Sequence, residues 1–214
     1  MDGLRVVILD FDGVVLESNA VKTEAFREVF ARFPEHAEAM MAFHHAHVSL
    51  SRFGKFDRLL ELMGRTGDAS LRADLATDFS RRTLDRIMAA PFVPGAEAFL
   101  HDITPRLPVY LASVTPADDL TFILQRRNLS RWFKDVYPCP PWTKPDAILD
   151  VLGRESATPA QALLIGDSAG DQHAASVTGV HFLGRNSGLS FDSPAPVTFP
   201  DLSEIANFIK QRLP

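Results

Sequence analysis

Asp10 and Asp12 are the residues of this sequence with the clearest potential for chemistry. They stand in the stretch from Leu4 to Val15, which reads L-R-V-V-I-L-D-F-D-G-V-V. An unbroken Val/Ile/Leu run is typical of a strand buried on both faces of a parallel sheet. Ligands of open parallel sheets bind beyond the carboxyl ends of the strands, which is where this pair would lie. Two carboxylates held together there repel each other, so the pair predicts a bound divalent cation.

Three later segments carry polar groups of complementary kinds. They contain Ser113 in L-A-S-V-T-P, Lys144 in T-K-P, and Asp167 with Asp171 in G-D-S-A-G-D. Each is predicted to lie at a junction between a strand and a helix. The acids suit a metal, the hydroxyl and the ammonium suit an anion, and the free N–H groups of helix N-termini favour phosphate. Asp171 also fits a helix capping box with Ser168, so a purely structural role stays open.

The elements that must position these residues fall into two groups. Apolar residues recur at helical spacing over 19–33, 35–47, a stretch that begins near Ser51, and 69–90, with no strand between them. After residue 91 the chain alternates, with strands predicted near 108–113, 135–137, 162–166 and 181–183 and helices near 96–102, 116–128, 145–154, 172–177 and 202–213. This alternation predicts an α/β fold with a doubly wound parallel sheet. We therefore predict a core domain of residues 1–14 and 91–214, with residues 15–90 inserted as an all-helical domain.

The composition narrows the function classes. The chain has 214 residues, a formal net charge of -5 and one cysteine. The charge argues against nucleic acid as a partner, and a lone Cys139 in P-C-P-P cannot form an internal disulfide and has no activating base beside it. No apolar run reaches membrane-spanning length and no leader pattern opens the sequence, so we expect a cytoplasmic protein without a membrane partner.

The four motifs, in this order, resemble those of the haloacid dehalogenase superfamily. The resemblance is to the phosphatases with a helical cap between the first two motifs, such as phosphoglycolate phosphatase and β-phosphoglucomutase, and it implies a Rossmann-like core. It implies that Asp10 is the nucleophile that forms an aspartyl-phosphate. Asp12 would be the general acid and base. Gly13 would allow the tight turn that brings backbone N–H groups toward the phosphoryl oxygens.

The resemblance also implies the remaining roles in the core. Ser113 and the backbone amide of Val114 would bind phosphate, and Lys144 would neutralise the nucleophile and the transferring group. The implied cofactor is Mg²⁺, held by Asp167, the Asp10 carboxylate and the Asp12 main-chain carbonyl. Asp171 would be a further ligand, or would orient the metal waters or Lys144.

In the helical insert the sequence offers candidates that would meet an anionic substrate. Arg52 and Lys55 lie three apart at the start of a helix, and Lys22 follows the first motif. The alternative for Arg52 and Lys55 is a solvated helix face. His44, His45 and His47 have no acid or cysteine nearby to complete a metal site, so they are expected at the surface or in packing.

One further local prediction concerns the start of a helix. Thr115, followed by Pro116 and Asp118, fits an N-cap with proline at the first helical position.

Three functions are compatible with these motifs. The first is a Mg²⁺-dependent phosphatase that acts on a small phosphorylated metabolite, and the second is a sugar-phosphate mutase. The third, from another class, is a phosphate-binding or phosphoacceptor protein without useful turnover. Dehalogenation is disfavoured by Asp12, because superfamily members that cleave carbon–halogen bonds lack this second aspartate. The substrate and the oligomeric state depend on side chains that only the fold brings together.

Overall fold

The computed structural model describes residues 3–211, which form two compact units. The α/β unit contains the residues up to Glu17 and from Pro91 onward, and the helical unit contains Ser18–Ala90. The sequence placed the first division at residue 15, whereas the structure places it at Ser18. The reason is that Leu16 is buried and forms a bridge to Phe92. The segment after Gly13 therefore packs as part of the α/β unit.

The α/β unit is built on a parallel sheet, which confirms the predicted fold class. Among the described residues the sheet has six strands, which are β1 (Val6–Leu9), β2 (Val109–Ser113), β3 (Asp135–Pro138), β4 (Ala162–Gly166), β5 (His181–Arg185) and β6 (Thr198–Phe199). Their order in the sheet is β3-β2-β1-β4-β5-β6. The chain starts in the middle and adds strands first on one side and then on the other, which is the doubly wound arrangement.

Burial on both faces explains the composition of the central strands. Every residue of β1, β2 and β4 is buried, so these strands read as continuous apolar runs. In the register of the sheet, Leu9 pairs with Leu111 on one side and with Ile165 on the other. From this level β4 continues for one residue and β2 for two, so the carboxyl ends of the three strands lie at the same edge of the sheet.

Five helices follow in the described part of the α/β unit. They are α5 (Ala96–Ile103), α6 (Ala117–Arg126), α7 (Lys144–Glu155), α8 (Ala169–Thr178) and α9 (Leu202–Lys210). The sequence started α8 near Gln172, but the capping box of Ser168 and Asp171 starts it three residues earlier. The predicted end of α9 at 213 lies outside the described residues.

In this unit one local prediction was wrong and one short strand was not predicted. Thr115 is not the N-cap of α6; that position is taken by Pro116, and the Thr115 hydroxyl donates to Asp12 instead. The short edge strand β6 was not predicted, because two residues are too few for a period to be recognised in the sequence.

The helical unit contains four helices, as the apolar spacing predicted. They are α1 (Asn19–Phe30), α2 (Pro34–Ala46), α3 (Arg52–Leu62) and α4 (Ala69–Ala89). Its core includes a cluster of aromatic rings, with Phe26 and Phe79 centroids 4.3 Å apart. The side chain of Ser51 caps α3 by accepting from the Gly54 N–H. Among the described residues, no helix is both long and apolar enough to cross a membrane.

Candidate active site

Three strand ends of the α/β unit bring polar side chains to one edge of the sheet. Asp10 directly follows β1, Asp167 directly follows β4, and Ser113 is the last residue of β2. The Asp10 N–H donates to the Ile165 carbonyl at 2.9 Å, so pairing with β4 extends to this residue. Asp10, Asp167 and Ser113 are all buried. The site lies where the strand order reverses, the usual ligand position in such sheets.

Lys144 supplies the positive charge of the site. It is the first residue of α7, and its ammonium lies 2.9 Å from Asp10 Oδ1 and also pairs with Asp171. Burial by itself would lower the pKa of Lys144, but the charges of Asp10 and Asp171 outweigh it and raise the pKa above its usual value. The ammonium is therefore charged at neutral pH and holds the Asp10 carboxylate in place.

The carboxylates of this edge are suited to a divalent cation. Asp10, Asp167 and Asp171 each offer an oxygen, and these oxygens lie within 4.8 Å of one another. Burial raises the pKa of Asp10 well above its ordinary value and the neighbouring acids raise it further, while Lys144 acts in the opposite direction. A single ammonium faces three buried carboxyl groups here, and burying an uncompensated charge is costly. Oxygen ligands and this excess of negative charge fit Mg²⁺.

Asp171 combines the two roles that the sequence left open. Its Oδ2 accepts from the Ser168 N–H at 3.2 Å and from the Ser168 hydroxyl at 2.5 Å, which completes the cap of α8. Its Oδ1 accepts from the Lys144 ammonium. With both oxygens engaged by the protein, the arrangement favours orientation of Lys144 over direct binding of a metal.

Gly166 contributes to the site, although the sequence motifs assigned it no role. A Cβ added at Gly166 would collide with the Cβ and Cγ atoms of Asp171. The absence of a side chain at the end of β4 therefore lets Asp171 reach Lys144. The glycine stands in the quoted motif, but only the close approach in three dimensions gives the reason for it.

Asp12 is held from a different direction. Its Oδ2 accepts from the Thr115 hydroxyl at 3.2 Å, and the Thr115 N–H donates to Ser113 Oγ at 3.1 Å. Gly13 has a φ of +73°, a conformation that favours glycine, and its N–H donates to the Leu16 carbonyl at 2.7 Å. Sequence reasoning missed Thr115 because its match to a capping pattern offered a sufficient local explanation.

Val114 and Cys139 also lie near the ends of strands. Val114 is half-buried in the bend directly after β2, where its backbone follows Ser113. Cys139 directly follows β3, and burial raises the pKa of its thiol, which disfavours the thiolate. This supports the interpretation of Cys139 as chemically passive.

Comparison with known proteins assigns the chain to a family. The model of the haloacid dehalogenase-like hydrolases matches residues 4–177. The chain belongs to this family. No curated protein sequence matches the chain.

Solved structures of similar fold cover nearly the whole of this hydrolase. β-Phosphoglucomutase from Clostridium difficile has a TM-score of 0.76 at 15% identity, with 98% of this chain and 96% of that chain covered. A predicted phosphoglycolate phosphatase from Haemophilus somnus has a TM-score of 0.74 at 13% identity, with 98% and 99% covered. A HAD hydrolase from Bacillus subtilis in a magnesium-bound structure has a TM-score of 0.69 at 17% identity, with 97% and 99% covered. At these identities the likeness shows the fold.

The cations predicted in the helical insert of the hydrolase do not form a solvated face. Lys55 is 2% exposed, and its ammonium donates to the Val48 carbonyl at 3.0 Å and lies 4.7 Å from the centroid of the Phe26 ring. Arg52 is 7% exposed and donates to the Ser80 hydroxyl at 2.6 Å. The alternative of a solvated helix face is therefore wrong for both residues.

The other candidates of the helical unit have different environments. Lys22 is half-buried on α1, and His45 and His47 are exposed. His44 is buried, and its Nε2 lies 3.1 Å from the Thr23 hydroxyl. Burial lowers the pKa of His44 to about 3, so the ring is neutral at physiological pH. His44 thus packs inside the helical unit, whereas His45 and His47 lie at its surface, and both outcomes agree with the prediction for these histidines.

Proposed function

We propose that this hydrolase is a Mg²⁺-dependent phosphatase that acts on a small phosphorylated metabolite through an aspartyl-phosphate on Asp10. The observation that supports it most is the Lys144 ammonium 2.9 Å from the Asp10 carboxylate, with Asp167 in the same buried cluster. A nucleophilic carboxylate beside a fixed cation suits attack on a phosphate ester, whose transition state carries negative charge.

In the proposed first step, one Asp10 oxygen attacks phosphorus and the bond from phosphorus to the ester oxygen breaks. Asp12, protonated before the step, gives its proton to the departing alkoxide, so the alcohol leaves neutral. In the second step Asp12 accepts a proton from water as the water attacks phosphorus, and the bond to Asp10 breaks to release inorganic phosphate. Ser113 and the Val114 amide are proposed to donate to the phosphoryl oxygens, and Lys144 to stabilise their charge.

The proposed magnesium ligands are the Asp10 and Asp167 carboxylates and the Asp12 main-chain carbonyl, with Asp171 acting mainly through Lys144. When bound, the cation would offset the negative charge of the carboxylates and the phosphoryl group. Two of these ligands, the Asp10 and Asp167 carboxylates, belong to the buried cluster of acids, and hard oxygen donors are the ligands that Mg²⁺ prefers.

The proposal extends to the helical unit and to the setting of the enzyme. The helical unit stands in the chain at the position of the family's cap, and we propose it as the region that selects the substrate. Lys22, Arg52 and Lys55 stay candidates for contact with an anionic leaving group. A cytoplasmic location, with neither nucleic acid nor membrane as partner, completes the proposal.

A phosphate-release assay against a panel of phosphorylated metabolites, with and without Mg²⁺, tests the function. Asp10→Asn is expected to abolish release, and the matched control Asp118→Asn, which changes an exposed acid of α6, is expected to retain it. Unchanged turnover by Asp10→Asn would refute the mechanism. Conversion of a hexose 1-phosphate to its isomer would identify a mutase instead. Labelling of the protein without release of phosphate would identify a phosphoacceptor.

A further inference from the structure

Arg185, at the carboxyl end of β5, has a buried guanidinium that none of the four motifs explains. We propose that Arg185 is a positioning residue that holds the turn 13–17 and thereby places Asp12 for proton transfer to the leaving group. This inference rests on the proposed function, and in particular on the role proposed for Asp12. It adds a residue far from Asp12 in the sequence to the machinery of the reaction.

The guanidinium of Arg185 donates hydrogen bonds to both ends of the turn, Gly13 and Glu17. Its Nη1 donates to the Gly13 carbonyl at 3.2 Å and to Glu17 Oε2 at 3.0 Å, and its Nη2 donates to Glu17 Oε1. Its Nε donates to the Pro200 carbonyl at 3.2 Å, which fixes the fork from behind. An arginine fork with two bonds to one carboxylate has a defined geometry and is among the stronger pairings in proteins.

Burial makes this contact more than a surface ion pair. The side chain of Arg185 is 9% exposed and that of Glu17 is 34% exposed. A buried guanidinium whose donors were left unpaired would be strongly unfavourable, so the turn is held where Gly13 and Glu17 satisfy it. Lysine could not replace the arginine, since one ammonium lacks the planar fork that spans both acceptors.

The turn that Arg185 holds determines the backbone from which Asp12 projects. Gly13 directly follows Asp12, and its N–H is paired with the Leu16 carbonyl inside the turn. Asp12 itself forms a bridge with Leu16. The Thr115 hydroxyl fixes the far end of the Asp12 side chain. The position of the Asp12 carboxylate is thus fixed in two ways. Thr115 bonds to the carboxylate itself, and Arg185 holds the turn from which the side chain projects.

The dependence of the rate on the leaving group separates positioning from a general structural role. An aryl phosphate such as p-nitrophenyl phosphate releases a stable anion and needs little protonation, whereas an alkyl phosphate such as propyl phosphate needs the proton from Asp12. Arg185→Met is expected to lower kcat/KM for the alkyl ester at least about tenfold more than for the aryl ester. A loss of folded protein would lower both rates by the same factor.

Three further variants complete the experiment. Arg185→Lys is expected to recover only part of the alkyl-ester rate. Glu17→Gln removes the charge partner while leaving Arg185 in place, and it should shift the ratio of the two rates in the same direction even if Arg185→Met folds poorly. Arg154→Met is the matched control, because Arg154 is a half-exposed arginine of the same unit that pairs with Asp135 and Asp150.

The outcomes distinguish this inference from the function on which it rests. Equal losses for the two esters in Arg185→Met and Glu17→Gln, or no loss in either variant, would overturn the role of Arg185 while leaving the phosphatase proposal intact. A shift of the ratio in Arg154→Met as large as in Arg185→Met would overturn it too. If the unaltered enzyme released phosphate from neither ester and from no member of the metabolite panel, the proposed function would fail and this inference with it.

Discussion

Replacement of Lys55 by methionine is expected to stabilise the protein at neutral pH and to lose that advantage as the pH rises. Lys55 is buried in the helical unit, where its ammonium lies beside the Val48 carbonyl and the Phe26 ring. The positive charge of the half-buried Lys22 repels that of Lys55. Burial, with a further contribution from Lys22, lowers the pKa of Lys55 from 10.5 to about 7. Methionine fills a similar volume without a charge.

The direction in which the stability of the unaltered protein changes with pH follows from proton binding to Lys55. Between about pH 7 and pH 10.5 the unfolded chain keeps its proton on Lys55 while the folded protein releases it, so stability rises with pH in this window. With about 1.4 kcal/mol for each pKa unit, the penalty on the charged form has a ceiling of about 4–5 kcal/mol below pH 7. Roughly 2 kcal/mol of this penalty should disappear between about pH 7 and pH 9.

The assay is urea unfolding of the full chain, followed by far-ultraviolet circular dichroism at a series of pH values. The quantity of interest is the difference in the free energy of unfolding between Lys55→Met and the unaltered protein, because the pH effects of groups that do not interact with Lys55 cancel in it. Lys210→Met serves as control, since Lys210 is a half-exposed lysine paired with Asp102. Its difference is expected to stay flat over the same range.

A flat difference for Lys55→Met would refute the reasoning, because it would show that the Lys55 ammonium is solvated or paired with an acid. A difference that grew with pH would contradict the sign and would mean that the charged form is favoured by folding. If Lys55→Met also raised KM at neutral pH without a change in kcat, the candidate role of Lys55 in substrate contact would gain support.

Three other perturbations test the α/β unit. Gly166→Ala is expected to displace Asp171 and to lower kcat at least about tenfold. Gly153→Ala is the control and should leave kcat unchanged, because a Cβ added there meets nothing within 4 Å. Equal rates in both variants would contradict the argument that Gly166 is needed for the close approach of Asp171. Thr115→Val removes the hydroxyl that donates to Asp12 and should lower kcat for an alkyl phosphate about tenfold, as expected for one hydrogen bond to the carboxylate that forms when Asp12 gives up its proton. An unchanged rate would show that the bond is dispensable. Removal of Mg²⁺ with a chelator should abolish turnover and leave the circular dichroism spectrum unchanged, and turnover in the chelator would count against the metal.

Much of the fold could be predicted because it depends on local periodicity. The apolar runs of β1, β2 and β4 reflect burial on both faces, and the helical spacing between residues 19 and 90 reflects four helices that bury one face each. Element ends were less accurate: α1 ends at Phe30 and not at 33, and α6 starts after Pro116. Ends depend on which backbone groups find partners, and Thr115 found its partner in Asp12, far away in the sequence.

The burial of Arg52 and Lys55 could not be predicted by the same reasoning. Charged residues at the start of a helix usually face water, and here the helical packing places both side chains inside. Arg185 was missed for a related reason. A single arginine at the end of a strand carries no pattern, and its partners Gly13 and Glu17 lie more than 160 residues away along the chain.

The types of the reactive groups, their order along the chain and the family that they indicate were determined by the amino-acid sequence itself. Periodicity and short motifs act over a few residues, so they can be recognised without the fold. Which groups touch was decided only by the tertiary structure: Lys144 between Asp10 and Asp171, Thr115 on Asp12, and Arg185 across the turn 13–17. Such contacts form because parallel strands end at one edge of the sheet, and that edge gathers residues that are distant in the chain.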